Sequence, residues 1–264
     1  MRVVDGACTT IASLPYSRAR TGGGTEAASL PVQRIRVGAV PDGCDALLVA
    51  GDLQGVAVSP WGGDPVLLGI AVADYLGVWA GEGLLPPPER LGVVLTGDLY
   101  SAPGADRRGA TGEVADVWLA FAAMGAPLLV GVAGNHDVVS AGEAAEVGAA
   151  LLDGQCVERG GTRFGGVGGI IGDPRRHGRS PESGFLARLD RVLDEEPSVL
   201  VLHEGPAGEG PGQPGNARVR ERVALRPPPL TVCGHVHWER PVAPLGEGHI
   251  INADDRLMLL TPNR

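Results

Sequence analysis

Polar residues that can bind metal ions occur in five short motifs along this chain. Four of the six histidines lie in three of these motifs, and the other two motifs each contain a Gly-Asp pair. Imidazole and carboxylate groups together favour transition metals over calcium. A site that holds two such ions about 3.5–4 Å apart is suited to phosphoester chemistry. The motifs, in chain order, are Gly51-Asp52-Leu53-Gln54, Gly97-Asp98-Leu99-Tyr100, Gly134-Asn135-His136-Asp137, Leu202-His203-Glu204 and Gly234-His235-Val236-His237.

Each motif follows a run of apolar residues, which is typical of a buried strand that ends in a polar loop. The runs at 47–50, 93–95 and 199–202 suit strands covered on both faces. Segments with helical spacing lie between the strands, so the sequence predicts an α/β fold with much parallel sheet. Parallel strands end at one edge of a sheet, and we expect the motifs to meet there. The predicted strands are 33–40, 45–51, 91–97, 127–133, 162–171, 198–203, 229–234, 247–252 and 256–261, and the predicted helices are 65–80, 112–124, 140–152, 183–193 and 216–225.

The two ends of the chain are less regular than its middle. Residues 1–30 form an uncertain N-terminal segment, because the glycine-rich stretch 21–25 resembles a loop. Residues 31–264 are predicted to form a single domain. Near the C-terminus, the predicted strands on either side of Ala253-Asp254-Asp255 suggest a β-hairpin.

Charge and cysteine content limit the classes of partner and the compartment. The formal net charge of −9 argues against bulk binding to nucleic acid, whereas a small phosphorylated substrate remains compatible with bound metal ions. The four cysteines show no CxxC spacing and are expected to be free thiols in a reducing cytoplasm. No secretory signal is expected, and the longest apolar run, 66–73, is too short to span a bilayer, so no membrane partner is expected. The sequence leaves the oligomeric state open.

The ordered set of five motifs resembles that of the calcineurin-like metallophosphoesterases, over roughly residues 45–261. No motif is specific alone, but all five occur in order, each after a predicted strand. The resemblance implies a sandwich of two mixed β-sheets flanked by helices. It also implies hydrolysis of a phosphomonoester or phosphodiester, on a small-molecule or nucleotide substrate, by water that two divalent metal ions activate. The ions would be Mn, Fe, Zn or Ni, with Mn expected to serve in vitro.

The resemblance further implies seven metal ligands, among which Asp98 bridges the two ions. His136 would donate a proton to the leaving group, although a histidine beside a ligand can instead brace that ligand by a hydrogen bond. The other implied ligands are Asp52, Gln54 and His237 for the first ion, and Asn135, His203 and His235 for the second.

Gln54 departs from the family pattern, which usually has histidine at this position. An amide oxygen is a weaker ligand for a transition metal than an imidazole nitrogen, so occupancy of the first site stays open. The alternative function is therefore a catalytically weak or inactive module of the same fold that binds metal or phosphate. A registration with Asp5 in the first motif is less favoured, because Ala7 supplies no second ligand and Asp98 would have no role.

Three further residues are candidates for contact with substrate. Arg175 and Arg176 follow a predicted strand and could hold a phosphate by paired hydrogen bonds, and Tyr100 follows the second motif. A basic loop is more often simply solvated, which is the competing interpretation for both arginines. Arg107 and Arg108 are weaker candidates of the same kind.

Overall fold

The computed structural model describes residues 1–263, so Arg264, the last residue of the predicted domain, lies outside the described residues. The helices are α1 (Leu68–Gly81), α2 (Ala115–Ala123), α3 (Ala141–Glu146), α4 (Glu182–Asp194) and α5 (Ala217–Leu225), with a short 3-10 helix at Pro88–Arg90. The strands are β1 (Thr9–Ala19), β2 (Thr25–Val37), β3 (Ala46–Gly51), β4 (Val56–Ala57), β5 (Val66–Leu67), β6 (Leu91–Leu95), β7 (Gly112–Glu113), β8 (Leu129–Gly131), β9 (Asp137–Val138), β10 (Ala150–Leu151), β11 (Gln155–Arg159), β12 (Thr162–Val167), β13 (Ile170–Ile171), β14 (Arg179–Ser180), β15 (Val199–Glu204), β16 (Leu230–Gly234), β17 (Val242–Leu245), β18 (Gly248–Asn252) and β19 (Arg256–Pro262).

Two mixed sheets contain most of these strands. The larger sheet has nine strands in the order β10-β8-β6-β3-β19-β2-β1-β4-β5, and the smaller has six in the order β11-β12-β15-β16-β18-β17. Strands β3, β6, β8 and β10 run parallel, as do β12, β15, β16 and β18. The predicted architecture of two mixed sheets flanked by helices is confirmed.

Alternation along the central strands explains the layered packing. Leu47 and Val49 of β3 point into the cluster between the sheets, whereas Leu48 points into the cluster beneath α1 and α2. In β15, Val201 faces the shared cluster and Leu202 faces the cluster under α4 and α5. Successive strand residues face opposite sides, so an unbroken apolar run requires cover on both faces. The layers therefore follow the order helices, sheet, sheet, helices.

The segment before residue 31 contributes to the larger sheet. Strands β1 and β2 form an antiparallel hairpin, and β2 also pairs with β19 in parallel. Leu14 and Leu30 lie on the buried face of this hairpin, opposite each other. The predicted strand 33–40 overlaps the second half of β2, which begins at Thr25 and ends at Val37. Glycines at the tip, such as Gly22 and Gly23, have positive φ angles of 94° and 100°, which suits a tight turn.

The predicted C-terminal hairpin is wrong. Strand β18 pairs with β16 and β17 in the smaller sheet, whereas β19 pairs with β2 and β3 in the larger one. Residues 253–255 thus carry the chain from one sheet to the other. The hairpin that does form joins β17 to β18.

The predicted helix 140–152 is shorter than expected. Helix α3 ends at Glu146, and residues 150 and 151 form the edge strand β10. Ser140 and Glu143 form the predicted capping box at its start.

The four cysteines are free thiols. Within residues 1–263, no helix is long and apolar enough to cross a membrane.

Candidate metal centre

Three candidate ligands sit at sharp turns that end strands. Asp52, Asp98 and His235 follow the ends of β3, β6 and β16, and their φ angles are 51°, 54° and 70°. Non-glycine residues rarely adopt this left-handed conformation, and each such residue costs on the order of 1–3 kcal/mol. The surrounding structure holds these turns in place, at the edge where the carboxyl ends of strands from both sheets meet.

Glycines beside the ligands allow neighbouring loops to approach closely. A Cβ atom on Gly134 would collide with the carboxylate and backbone nitrogen of Asp98, and one on Gly234 would collide with the carboxylate of Asp52. The Gly-x motifs therefore reflect close contact between adjacent strand ends as well as turn formation.

Asp98, His203 and His235 bring their ligand atoms within 4.8 Å of one another, and together they can hold a metal ion. Asp98 and His203 are buried, and the imidazole rings of His203 and His235 have centroids 5.0 Å apart. Asn135 extends the group, because its Oδ1 lies 3.2 Å from His203 Nε2. These four residues are the predicted ligands of the second ion together with the predicted bridging carboxylate.

The hydrogen bonding of His203 fits a cation at this point. His203 Nδ1 lies 2.8 Å from the carbonyl oxygen of Thr96, so it donates its proton there when the ring is neutral. Nε2 lies 3.2 Å from the Asn135 oxygen and 3.4 Å from Asp98 Oδ1, so in the metal-free protein it carries a proton shared with these acceptors. A bound metal ion would replace that proton, because a nitrogen and two oxygens that can donate electron pairs converge there.

Electrostatics at the metal-free centre favour a positive charge. Burial disfavours the imidazolium of His203, but the adjacent Asp98 carboxylate outweighs burial and raises the pKa of His203 to about 10. Burial also disfavours the Asp98 carboxylate, yet His203 holds the pKa of Asp98 below its ordinary value. Burial and the negative charge of Asp254 raise the pKa of Asp52 well above its ordinary value. Bound cations would relieve this crowding of carboxylates.

The predicted ligands of the first ion form a looser set. The Gln54 amide nitrogen donates to Asp98 Oδ2 at 3.0 Å, and Asp52 Oδ2 accepts the backbone N–H of His235 at 2.8 Å. His237 is half-exposed and lies 3.8 Å from Asp254 and 3.2 Å from Arg256 Nη2. Asp52, Gln54 and His237 nevertheless line one cavity together with Asp98.

Asp137, the last residue of the third motif, holds two loops together. Its Oδ1 accepts the backbone N–H groups of Leu99 at 2.7 Å and Tyr100 at 3.2 Å. Its Oδ2 accepts the N–H of Gly134 at 2.8 Å. The loop after Asp98 is thereby joined to the loop that carries Asn135. Burial and the charge of Asp98 raise the pKa of Asp137 to about 6.

His136 lies at the wall of the cavity, half-buried beside the ligand group. Its backbone N–H donates to Asp98 Oδ1 at 3.0 Å, and its ring Nδ1 is 3.4 Å from Thr111 Oγ1. Burial lowers the pKa of this imidazole below its ordinary value, although the charge of Asp98 opposes the shift. The main chain of His136 therefore supports the centre, while its ring faces the cavity.

The cavity above the ligands has a volume of about 600 Å³, which suits a small-molecule substrate. Tyr100, Arg107 and Arg108 line it, and Arg108 donates to Thr21 Oγ1 in the β1–β2 turn at 2.6 Å. Arg175 and Arg176, the predicted substrate contacts, line a different cavity. The structure thus brings Tyr100 to the ligands and does not bring these two arginines there.

Sequence reasoning missed several residues in this cavity. Tyr16 and Arg18 of β1 form one wall, and both bind Asp255, at 2.5 and 2.8 Å. Asp254, which precedes Asp255 in the loop between β18 and β19, also lines the cavity and lies 3.8 Å from His237. This aspartate pair follows β18, which runs parallel to β16 and so ends at the same edge. Polar residues after a strand were therefore a usable signal at 254–255 as well.

Comparison with known proteins supports the fold. No family model and no curated protein matches the sequence. The crystal structure of TT1561 of Thermus thermophilus is 18% identical, with a TM-score of 0.53, over 79% of this chain and 88% of that one. A second solved structure is 14% identical, with a TM-score of 0.52, over 81% of this chain and 90% of its own. At these identities the similarity concerns the fold alone.

Proposed function

We propose that this protein is a metal-dependent phosphoesterase acting on a small phosphorylated molecule or nucleotide. The observation that carries the proposal is the convergence of Asp98, His203 and His235 within 4.8 Å at the edge shared by the two sheets. The order of the five motifs, which resembles that of the calcineurin-like metallophosphoesterases, supports the same reaction.

The residues present divide between two neighbouring metal positions. Asp98, Asn135, His203 and His235 would hold the second ion, and Asp52, Gln54 and His237 would hold the first, with Asp98 shared. Divalent ions bound there supply the Lewis acidity that activates water and neutralises charge on phosphoryl oxygens.

The cavity wall supplies the groups that would orient substrate and move a proton. The His136 ring would donate a proton to the leaving oxygen from Nε2 when its Nδ1 accepts the hydroxyl hydrogen of Thr111. Arg107 has no hydrogen bond or ion pair within residues 1–263 and lines the cavity, so it is free to bind a phosphate oxygen. Tyr100 offers an aromatic surface for the organic part of the substrate.

A second candidate function is a binding module that retains one metal and has lost turnover. The hydrogen bond from Gln54 to Asp98 Oδ2 favours it, because the Gln54 amide donates to the carboxylate that a first ion would share. Gln54→His restores the ligand that related motifs use. We expect this substitution to tighten binding of the second equivalent of metal by about tenfold, since imidazole is the stronger ligand.

The decisive assay is hydrolysis of chromogenic phosphate monoesters and diesters by protein loaded with Mn²⁺. We expect turnover that disappears with chelator and in the His203→Ala variant, and the ratio of monoester to diester rates defines the reaction class. His249→Ala is a matched control, because His249 pairs with Leu230 at the start of β16, whereas the ligands follow the end of that strand. Absence of turnover with both ester classes, in protein that binds metal, would favour the binding module.

A further inference from the structure

A second cavity of about 610 Å³ lies behind the loop that carries Asn135 and His136. Backbone of Gly134 and Gly168 forms part of its wall. Four arginines also line it, in a chain with a net charge of −9. They are Arg175, Arg176, Arg179 and Arg188.

Two of these four arginines are neutralised by neighbouring carboxylates. Arg175 forms an ion pair with Asp173 at 2.8 Å, and its side chain is 88% exposed. Arg188 lies 3.1 Å from Asp153 Oδ1 and also donates to Ser180 Oγ at 3.0 Å.

The other two arginines have no carboxylate of their own. Within residues 1–263, the guanidinium groups of Arg176 and Arg179 have neither a hydrogen bond nor an ion pair. Asp173 is near enough for both charges to act on it, but its carboxylate is paired with Arg175. The carboxylate of Asp137 already accepts three backbone N–H groups. The cavity therefore presents two unpaired guanidinium groups, which matches the charge of one phosphate dianion.

The cavity is coupled to the candidate metal centre through the main chain. His177 Nε2 lies 2.6 Å from the carbonyl oxygen of Asp137. A Cβ atom on Gly178, whose φ angle is 63°, would collide with the backbone of Asn135. The arginine loop, residues 172–179, is thus packed directly against the loop that presents Asn135 and His136.

We propose that this second cavity is a binding site for a phosphate dianion, either free or as the phosphate group of a small molecule, held by Arg176 and Arg179. Arg179 is also near enough to the candidate metal centre for its charge to act on His136 and His235, so the site adjoins that centre. The proposal nevertheless does not depend on the phosphoesterase proposal. An anion bound here would lie against the loop that carries Asn135 and His136, so its binding would affect the position of these two residues.

Isothermal titration with inorganic phosphate tests the site. We use the Asp98→Ala variant, which removes the central metal ligand, and repeat the titration on wild-type protein treated with chelator. We expect one phosphate per chain in both samples. Arg179→Ala and Arg176→Ala, each added to the Asp98→Ala background, should each weaken binding by at least about tenfold.

The matched control is Arg175→Ala in the same background, which removes the same charge from the same loop but from an arginine already paired with Asp173. We expect its effect on phosphate affinity to stay below about twofold. Equal losses of phosphate affinity in the Arg175→Ala and Arg176→Ala variants would mean that only the total charge of the loop matters, and would overturn the proposal. So would the absence of phosphate binding to both metal-free samples.

The same titration with AMP identifies the source of the anion. Binding that is at least about tenfold tighter than that of phosphate, and still dependent on Arg176, would identify a nucleotide phosphate. Equal affinities would identify free phosphate. Arg176 is exposed, so its variant should fold even if Arg179→Ala does not.

Discussion

Replacing Asp137 tests whether one buried carboxylate joins the two ligand loops. In Asp137→Ala, the N–H groups of Leu99, Tyr100 and Gly134 lose their acceptor, and Leu99 and Gly134 are buried. A buried donor without a partner costs about 1–3 kcal/mol, which gives about 2–6 kcal/mol for the two buried groups. Loss of a charge whose burial is unfavourable offsets part of this cost. We therefore expect the free energy of unfolding to fall by about 2–4 kcal/mol.

Asp137→Asn refines the same prediction. The asparagine oxygen can still accept from Leu99 and Tyr100, but its NH2 group would face the Gly134 N–H. One hydrogen bond is lost, and the charge is removed, so the expected loss is about 1–2 kcal/mol.

The assay is urea denaturation at pH 7.5, above the pKa of about 6 for Asp137, with chelator present so that metal binding does not contribute to stability. Asp64→Ala is the control, because Asp64 is exposed and its side chain forms no hydrogen bond or ion pair within residues 1–263. An Asp137→Ala protein within about 0.5 kcal/mol of this control would refute the reasoning.

Three further predictions concern the centre itself. His136→Ala should lower turnover by about 10²–10⁴-fold with metal content unchanged. The hydrolysis assay measures the turnover and elemental analysis measures the metal content, and loss of metal would assign His136 to metal binding instead. In the folded, metal-free protein the pKa of His203 is raised from 6.5 to about 10. The contribution of protonated His203 to the free energy of unfolding is therefore complete below pH 6.5 and is lost as the pH rises towards 10. Thermal unfolding across that range should show the decline in wild-type protein and not in His203→Asn, and parallel curves would contradict it. Gly134→Ala should weaken metal binding, because its Cβ would collide with Asp98, whereas Gly142→Ala has room and should not; equal affinities would argue against close contact between these loops.

Much of the central fold could be predicted because its signals are local. The apolar runs before Asp52, Asp98 and His235 form the buried strands β3, β6 and β16, which end at the predicted ligands. Both faces of these strands are covered, so their composition alone identifies them.

Pairing between distant segments could not be predicted in the same way. Residues 248–252 and 256–260 have the local pattern of a hairpin, yet each strand pairs with partners far away in sequence. The glycine-rich stretch 21–25 suggested a loop, and it is the turn of the β1–β2 hairpin, whose strands are identified only by their pairing with each other and with β19.

The same limit applies to the candidate site. Arg175 and Arg176 follow a strand end, but they line the cavity behind the metal centre. The cavity in front is completed by Tyr16 and Arg18, whose position depends on the pairing of β1 with β2. The order of the motifs identifies candidate metal ligands. The residues that line the cavity for substrate are brought there by long-range packing, which the order of the motifs does not show.

Metal content measured by elemental analysis tests the central claim most directly. Wild-type protein loaded with Mn²⁺ and freed of excess metal should retain about two ions per chain, and Asp98→Ala should lose both. One retained ion in wild-type protein would limit the centre to Asp98, Asn135, His203 and His235. Wild-type protein without metal, or an Asp98→Ala variant that keeps two ions, would contradict the account.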